Sequence, residues 1–258
     1  MKDSYKCYEK VLIVIVTAIV LCFSVHVRAS GVGNKESAQE IVNEYFSLIG
    51  NDWDKFAELY TNEQINSFKN FLENEKNMGV AASRNRGVAA ATCRYVAFID
   101  SDDQWQPDKL AKQLKLMEQT GAVLCSTARE LVNEDGSRTG KVIGVPEKVT
   151  YKMLLRGNVI NCSSVVMDRQ VALRYPMGND DIHEDYICWL QILKEYGSSV
   201  AINEPLLLYR QMRNSKSGSK LSSAKKTFAV YRKVGYGVIR SCFYFMCYAV
   251  NGVVKYLF

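Results

Sequence analysis

The chain reads as an α/β protein: an incomplete open sheet with flanking helices, preceded by a hydrophobic helix and a small helical segment. Three observations predict this. Tyr95-Val96-Ala97-Phe98-Ile99 is a continuous apolar run of the kind that forms a strand buried on both faces. It stops at Asp100-Ser101-Asp102-Asp103, and Pro107 then opens a helix with Leu110, Leu114 and Met117 on one stripe. Far upstream, Val11–Val25 is a run of fifteen residues without a charge.

The composition limits the alternatives. With 258 residues, 48% hydrophobic and 23% charged, the chain is neither disordered nor fibrous. Eight cysteines without a Cys-x-x-Cys pair exclude a structural zinc site, and two histidines, His26 and His183, exclude a histidine-rich metal centre. Cys125, Cys162 and Cys188 read as small buried residues in a reducing compartment.

Taken in order, residues 1–30 read as a signal peptide or membrane anchor. Lys2, Lys6 and Lys10 precede the apolar run, and His26, Arg28 and Ala29-Ser30-Gly31 follow it. A buried strand pair is the competing reading, because the run is rich in Val and Ile. Residues 31–76 read as an acidic helical segment of unrelated origin, with nine Asp/Glu against four Lys. Ile41, Tyr45 and Leu48 share one face, then Trp53, Phe56, Leu59 and Tyr60, then Ile65, Phe68, Phe71 and Leu72. Gly50-Asn51-Asp52 breaks the first pair of helices, and the acidic residues are a solvated face without visible chemistry.

Residues 77–91 predict a turn and a small-residue helix. Residues 211–258 make a basic, aromatic, amphipathic tail. After Glu204 there is no acidic residue, whereas ten Lys/Arg lie between Arg210 and Lys255. The mostly apolar 238–250 stretch makes an anionic membrane surface a better partner than nucleic acid. A final helix packed on its own domain explains the same stretch.

The chemistry starts at residue 100. A buried strand ending in three carboxylates sets them at the carboxyl edge of a sheet, where open α/β folds bind ligands. Clustered carboxylates repel unless a cation neutralises them, and hard oxygen ligands favour Mg²⁺ or Mn²⁺ bridged to a diphosphate. A helix cap would use a single Asp. An EF-hand starting at Asp100 fails at Trp105 and Ala111, where Gly and Glu are required. A haloacid dehalogenase-type phosphatase, with Gly178-Asn179-Asp180-Asp181 as its later acidic pair, would need Thr or Val where Gln104 stands.

These residues resemble the family 2 glycosyltransferases with a GT-A fold. The likeness rests on Asn77-x-Gly79-Val-Ala-Ala-x-Arg84-Asn85-x-Gly87, the run Tyr95 to Asp103, Trp105-x-Pro107-x-Lys109-Leu110, Ile182-His183-Glu184-Asp185-Tyr186-x-x-Trp189-Leu190, and Leu208-Tyr209-Arg210. It runs from residue 77 to the C-terminus, with the GT-A domain proper at 77–210. Tyr231-Arg232-Lys233 and the aromatic, basic tail look like the enzymes of bacterial cell-surface polysaccharide synthesis.

The resemblance implies an inverting, metal-assisted sugar transfer from a nucleotide sugar, a UDP-sugar, to a glycan or lipid-linked acceptor. Asp100 and Asp102 would hold ribose and a divalent metal, Mn²⁺ or Mg²⁺. Arg84 would sit near the nucleotide, and Asp185 would be the general base with Glu184 beside it. Glu184 and Asp185 also suit a helix start. His183 and Ser163 are weaker acceptor-side candidates, and Trp105 and Trp189 read as core. The transferase domain is expected at the cytoplasmic face of the membrane, while the N-terminal segment argues for export or anchoring.

The chain departs from the family at its start. The family opens with a strand leading to Pro-x-Tyr-Asn and a second strand near Asp-Asp-Gly-Ser, and no proline precedes Pro107 here. This predicts an incomplete Rossmann-like GT-A mixed sheet with an exposed edge, a fusion or remnant joined near residues 74–77, and a transferase open to inactivation by truncation. The rival reading is an exported or anchored non-enzymatic module carrying a remnant transferase domain.

Overall fold

The computed structural model describes residues 11–14, 79–91, 93–100, 102–178, 182–211 and 220–257. The rest of the anchor-like run and the acidic segment 31–76 lie outside the described residues. The elements are β1 (Val11–Val14), α1 (Val80–Ala90), β2 (Tyr95–Phe98), β3 (Gln104–Trp105), α2 (Lys109–Thr120), β4 (Leu124–Val132), β5 (Arg138–Ile143) and β6 (Lys148–Thr150). They continue with α3 (Tyr151–Arg156), a 3₁₀ turn (Cys162–Ser164), β7 (Val166–Asp168), α4 (Arg169–Arg174), α5 (Glu184–Tyr196), β8 (Ser198–Arg210), α6 (Lys220–Lys233) and α7 (Val238–Leu257).

Among the described residues one mixed sheet runs in the order β1-β2-β7-β4-β8-β3, with β5 added to β4 and β6 to β8. β1 and β2 are parallel, as are β4 and β8, and the remaining pairs are antiparallel. This is the expected α/β class, a mixed sheet with flanking helices. One expectation is corrected: Val11–Val14 is a strand, not part of a hydrophobic helix. It pairs with β2 from Val11↔Tyr95 to Val14↔Phe98, so the flank of β2 predicted to be an exposed edge is covered. β-branched Val and Ile favour the pleated strand, which is the physical reason the competing strand reading prevails there.

The continuous apolar run of β2 is buried on both faces. Val96 and Phe98 join a core with Leu124, Met167 and Trp189 under α5, whereas Tyr95, Ala97 and Ile99 join a second core with Leu114, Met117 and Leu207 under α2. That alternation is the period of a strand with a helical layer on each side. Trp189 and Trp105 both belong to the core, as expected.

α2 carries the predicted stripe of Leu110, Leu114 and Met117. It ends at Gly121, whose φ of 68° is left-handed and whose N–H donates to the Met117 carbonyl at 2.9 Å. Pro107 is not its first residue. The Gln106 N–H donates to the Leu206 carbonyl at 2.9 Å, continuing the β3 pairing, and the helix starts only at Lys109. The tail forms α6 and α7, with Phe228 edge-on to Phe245 at 6.2 Å between them.

Candidate active site

The carboxylate loop leaves the end of β2 and is fastened from below and from the side. The Asp100 N–H donates to Ser163 Oγ at 3.1 Å, and Trp105 Nε1–H donates to the Ser163 carbonyl. Ser163 is fully buried in the 3₁₀ turn, where the Asn161 side chain accepts its N–H at 2.9 Å. Ser163 therefore lies behind the loop as its support. The motif lysine Lys109 is buried too, with Nζ 4.0 Å from the Trp105 ring centroid, and burial lowers its pKa to about 7.

Arg210 holds the other side of the loop. Its backbone N–H donates to Asp103 Oδ1 at 3.0 Å, its Nε–H to the Asp102 carbonyl at 2.9 Å, and its Nη1–H to the Glu134 carbonyl at 2.8 Å. This gives Leu208-Tyr209-Arg210 a physical role: it ties the loop to β8 and to the β4–β5 turn. Asp103 is buried with Oδ2 unpartnered, and burial, then the charge of Asp100, raises its pKa well above the ordinary range. Burial also raises Asp102, with the charge of Asp100 adding to the effect. The loop thus holds carboxylates that disfavour one another's charge, as the sequence predicts.

α5 arrives from the opposite side. His183 precedes it in a left-handed conformation (φ 42°), which a non-glycine residue rarely adopts, and so turns the chain sharply into the helix. Its Nε2 lies 3.4 Å from the Ser223 carbonyl of α6. Glu184 and Asp185 form the first turn, where the helix dipole favours negative charge. Asp185 Oδ1 accepts the Tyr186 N–H at 2.7 Å. Its pKa is raised by burial, with Glu184 adding to the rise and Arg84 opposing it.

Arg84 of α1 joins the two halves. The buried guanidinium donates Nη2–H to Asp100 Oδ1 at 2.7 Å, and its Nη1 lies 3.5 Å from Glu184 Oε1. The small residues of the Gly79–Gly87 stretch let α1 approach closely enough for this, and Asn85 locks the helix by donating to the Met177 carbonyl at 2.7 Å.

Arg84, Asp100, His183, Glu184 and Asp185 consequently line one cleft of about 500 Å³. Of the other predicted residues, Asp102 follows on the same loop outside the cleft wall, and Ser163 is buried beneath it. Cys162 and Tyr209, named in the sequence without a donor-side role, also line this cleft, and so does Lys226, which sequence reasoning missed. Lys226 read as one more basic residue of the tail; only the return of α6 to His183 brings it here.

A second, larger cavity of about 960 Å³ lies on the far side of Asp185, which lines both spaces together with Asn161. Its walls are apolar at Val142, Ile143, Val159 and Ile160 and basic at Arg129, Lys141 and Arg156. Arg129 is 8% exposed, its Nε has no hydrogen-bond partner, and its guanidinium lies 5.4 Å from the Tyr209 ring centroid. Nothing in the residue pattern marked this cavity.

Residues 54–174 match the Glycosyl transferase family 2 domain, starting upstream of the motifs that carry the resemblance. TuaG of Bacillus subtilis, named for teichuronic acid biosynthesis as a glycosyltransferase, is 38% identical over 184 residues, which are 71% of this chain and 73% of that protein. The chain belongs to glycosyl transferase family 2. Within the family, a glycosyltransferase of Haemophilus influenzae is 32% identical over 76% of this chain and 82% of its own. WfgD of Escherichia coli, named a UDP-Glc:alpha-D-GlcNAc-diphosphoundecaprenol beta-1,3-glucosyltransferase, is 34% identical over 72% of this chain and 73% of its own. The chain is a glycosyltransferase of bacterial polysaccharide synthesis. The rival reading as a non-enzymatic module is not favoured.

Proposed function

We propose that the protein moves a sugar from a UDP-sugar to a hydroxyl of a lipid-linked acceptor at the cytoplasmic face of the membrane, with inversion at the anomeric carbon. The observation that carries this is the position of Asp185, shared by a polar cleft and a larger apolar, basic cavity. The polar cleft suits the donor, with Asp100 for ribose hydroxyls and Arg84 and Lys226 for negative charge. The larger cavity suits an acceptor that is apolar and anionic at once, and the unpartnered Arg129 Nε is a donor ready for such an anion. The diphosphoundecaprenol acceptor in WfgD's name belongs to that chemical class.

In the transfer step the acceptor hydroxyl gives its proton to the Asp185 carboxylate while its oxygen bonds to the anomeric carbon. The bond from that carbon to the diphosphate oxygen breaks, and its electron pair leaves with UDP. A carboxyl raised above its ordinary range is a better proton acceptor at neutral pH, so burial of Asp185 serves the step. Arg84, paired with Asp100 and close to Glu184, fixes the cleft geometry.

The residues also fit a divalent metal that completes its coordination with phosphate oxygens. Asp100 and Asp102 are hard oxygen donors on one loop, and among the described residues no cluster of three or more His, Cys, Asp or Glu would hold a metal unaided. Mn²⁺ or Mg²⁺ bound there would neutralise charge on the departing diphosphate.

The test is calorimetric titration of UDP into the full chain with and without Mn²⁺. Binding should require the metal and disappear in Asp102→Ala. Equal binding in a folded Asp102→Ala would overturn the assignment of the loop.

A further inference from the structure

α7 has two faces, and only the inner one is accounted for. Tyr244, Phe245 and Tyr248 pack on the core beneath α5 and α6, and Ser241 is fully buried. The outer face presents Ile239, Cys242, Phe243, Met246, Ala249 and Val250, all exposed, at i, i+3, i+4, i+7, i+10 and i+11. Ile239 is 87% exposed and Met246 62%. Such spacing makes one continuous apolar stripe along the helix.

We infer that this stripe seats the protein on an anionic lipid bilayer, with α7 lying in the plane of the membrane. Charge complementarity favours this partner. No acidic residue follows Glu204, and exposed cations lie on both helices, Lys225, Arg232 and Lys233 on α6 and Arg240 on α7 beside Ile239. Basic residues flanking an apolar helical face are attracted by anionic headgroups while the apolar side chains enter the acyl boundary.

Neither a span nor a second copy fits as well. Among the described residues no helix is long and apolar enough to cross a membrane. The stripe extends about 16 Å along a single helix, so two copies meeting there would cover far less than the roughly 1,200 Å² of a stable dimer.

The same helix also forms one wall of the proposed acceptor cavity, through Tyr248, Asn251 and Gly252. Asn251 Nδ2–H donates to the Arg156 carbonyl at 2.8 Å, which couples α7 to the basic wall. Seating α7 on the bilayer therefore brings that cavity to the headgroup layer, where a lipid-linked acceptor resides. This last step rests on the reading under Proposed function; the docking of α7 does not.

The experiment is flotation of the full chain with vesicles of phosphatidylcholine alone or of equal parts phosphatidylcholine and phosphatidylglycerol. The wild type should float with the anionic vesicles and release as salt is raised. Ile239→Ser/Phe243→Ser should weaken flotation by about a hundredfold, since each lost apolar side chain is worth on the order of tenfold in transfer. Its thermal midpoint and its UDP binding should stay those of the wild type. Equal flotation of wild type and variant would overturn the inference and place any lipid affinity elsewhere in the chain. A dimeric wild type made monomeric by the variant, without vesicle binding, would assign the stripe to a second copy. A variant that loses stability would mean the stripe is covered from within. Failure of transfer activity alone leaves flotation unchanged, so the two readings fail separately.

Discussion

The two spaces beside Asp185 differ in what they offer a ligand. The smaller is built from paired charges: Arg84 with Asp100 and Glu184, and a carboxylate loop held by Arg210. The larger is built from aliphatic walls and cations, with Arg129 buried and lacking any carboxylate partner among the described residues. Arg84 already holds two carboxylates, whereas Arg129 pairs with none among the described residues, so the two buried cations leave different amounts of charge uncompensated. On the proposed reading recognition is divided: the smaller space would orient a polar nucleotide within a preformed charge network, and the larger would take an amphiphilic acceptor.

Substitutions should separate the two sides. The largest effect is expected at Arg84, because Arg84→Ala leaves Asp100 and Glu184 uncompensated. Breaking a buried pair costs roughly 3 kcal/mol at the low end, appropriate here because Asp100 keeps 35% of its side-chain surface exposed. A urea-unfolding midpoint should fall accordingly, and UDP binding should be lost with it. An unchanged midpoint would mean that the network does not hold the cleft together.

Next is Arg156→Ala in the larger cavity. It should raise the acceptor KM about tenfold, the size of one charge-assisted hydrogen bond, with UDP affinity unchanged. A parallel loss of UDP affinity would show that the two spaces are one site.

The smallest effect concerns Asp103. Its carboxyl is raised in the folded state by burial and by Asp100, so the fold favours the protonated form. Stability should therefore increase as pH falls through the raised folded value toward the ordinary 3.8, and the gain should be absent above it. Asp103→Asn, always neutral, should lose that share of the pH dependence in unfolding measured across pH 5–8. Identical slopes in both proteins would remove Asp103 as the cause.

The smaller cleft was largely legible in the sequence because its signals are local. A buried run ending in carboxylates, a small-residue helix and an acidic helix start each declare themselves within about ten residues. What the sequence left ambiguous was composition without context. Val11–Val14 has the apolarity of an anchor but pairs with β2, and only a partner strand decides between them. Pro107 fits a helix start equally well as the turn it occupies after β3. The larger cavity was invisible because Arg129, Arg156 and Asn251 come from three distant stretches of chain, and an arginine carries no mark of lacking a partner. Ser163, read from sequence as a weak acceptor-side candidate, is buried in the 3₁₀ turn and accepts the Asp100 N–H, a contact between distant stretches that no local pattern announces.

The central claim is that Asp185 takes the acceptor proton between the two spaces. It is tested most directly by measuring sugar transfer by Asp185→Asn, alongside UDP affinity, with a donor and lipid-linked acceptor that the wild type uses. The account predicts transfer reduced by about a hundredfold or more with UDP binding intact. Transfer at the wild-type rate would contradict it.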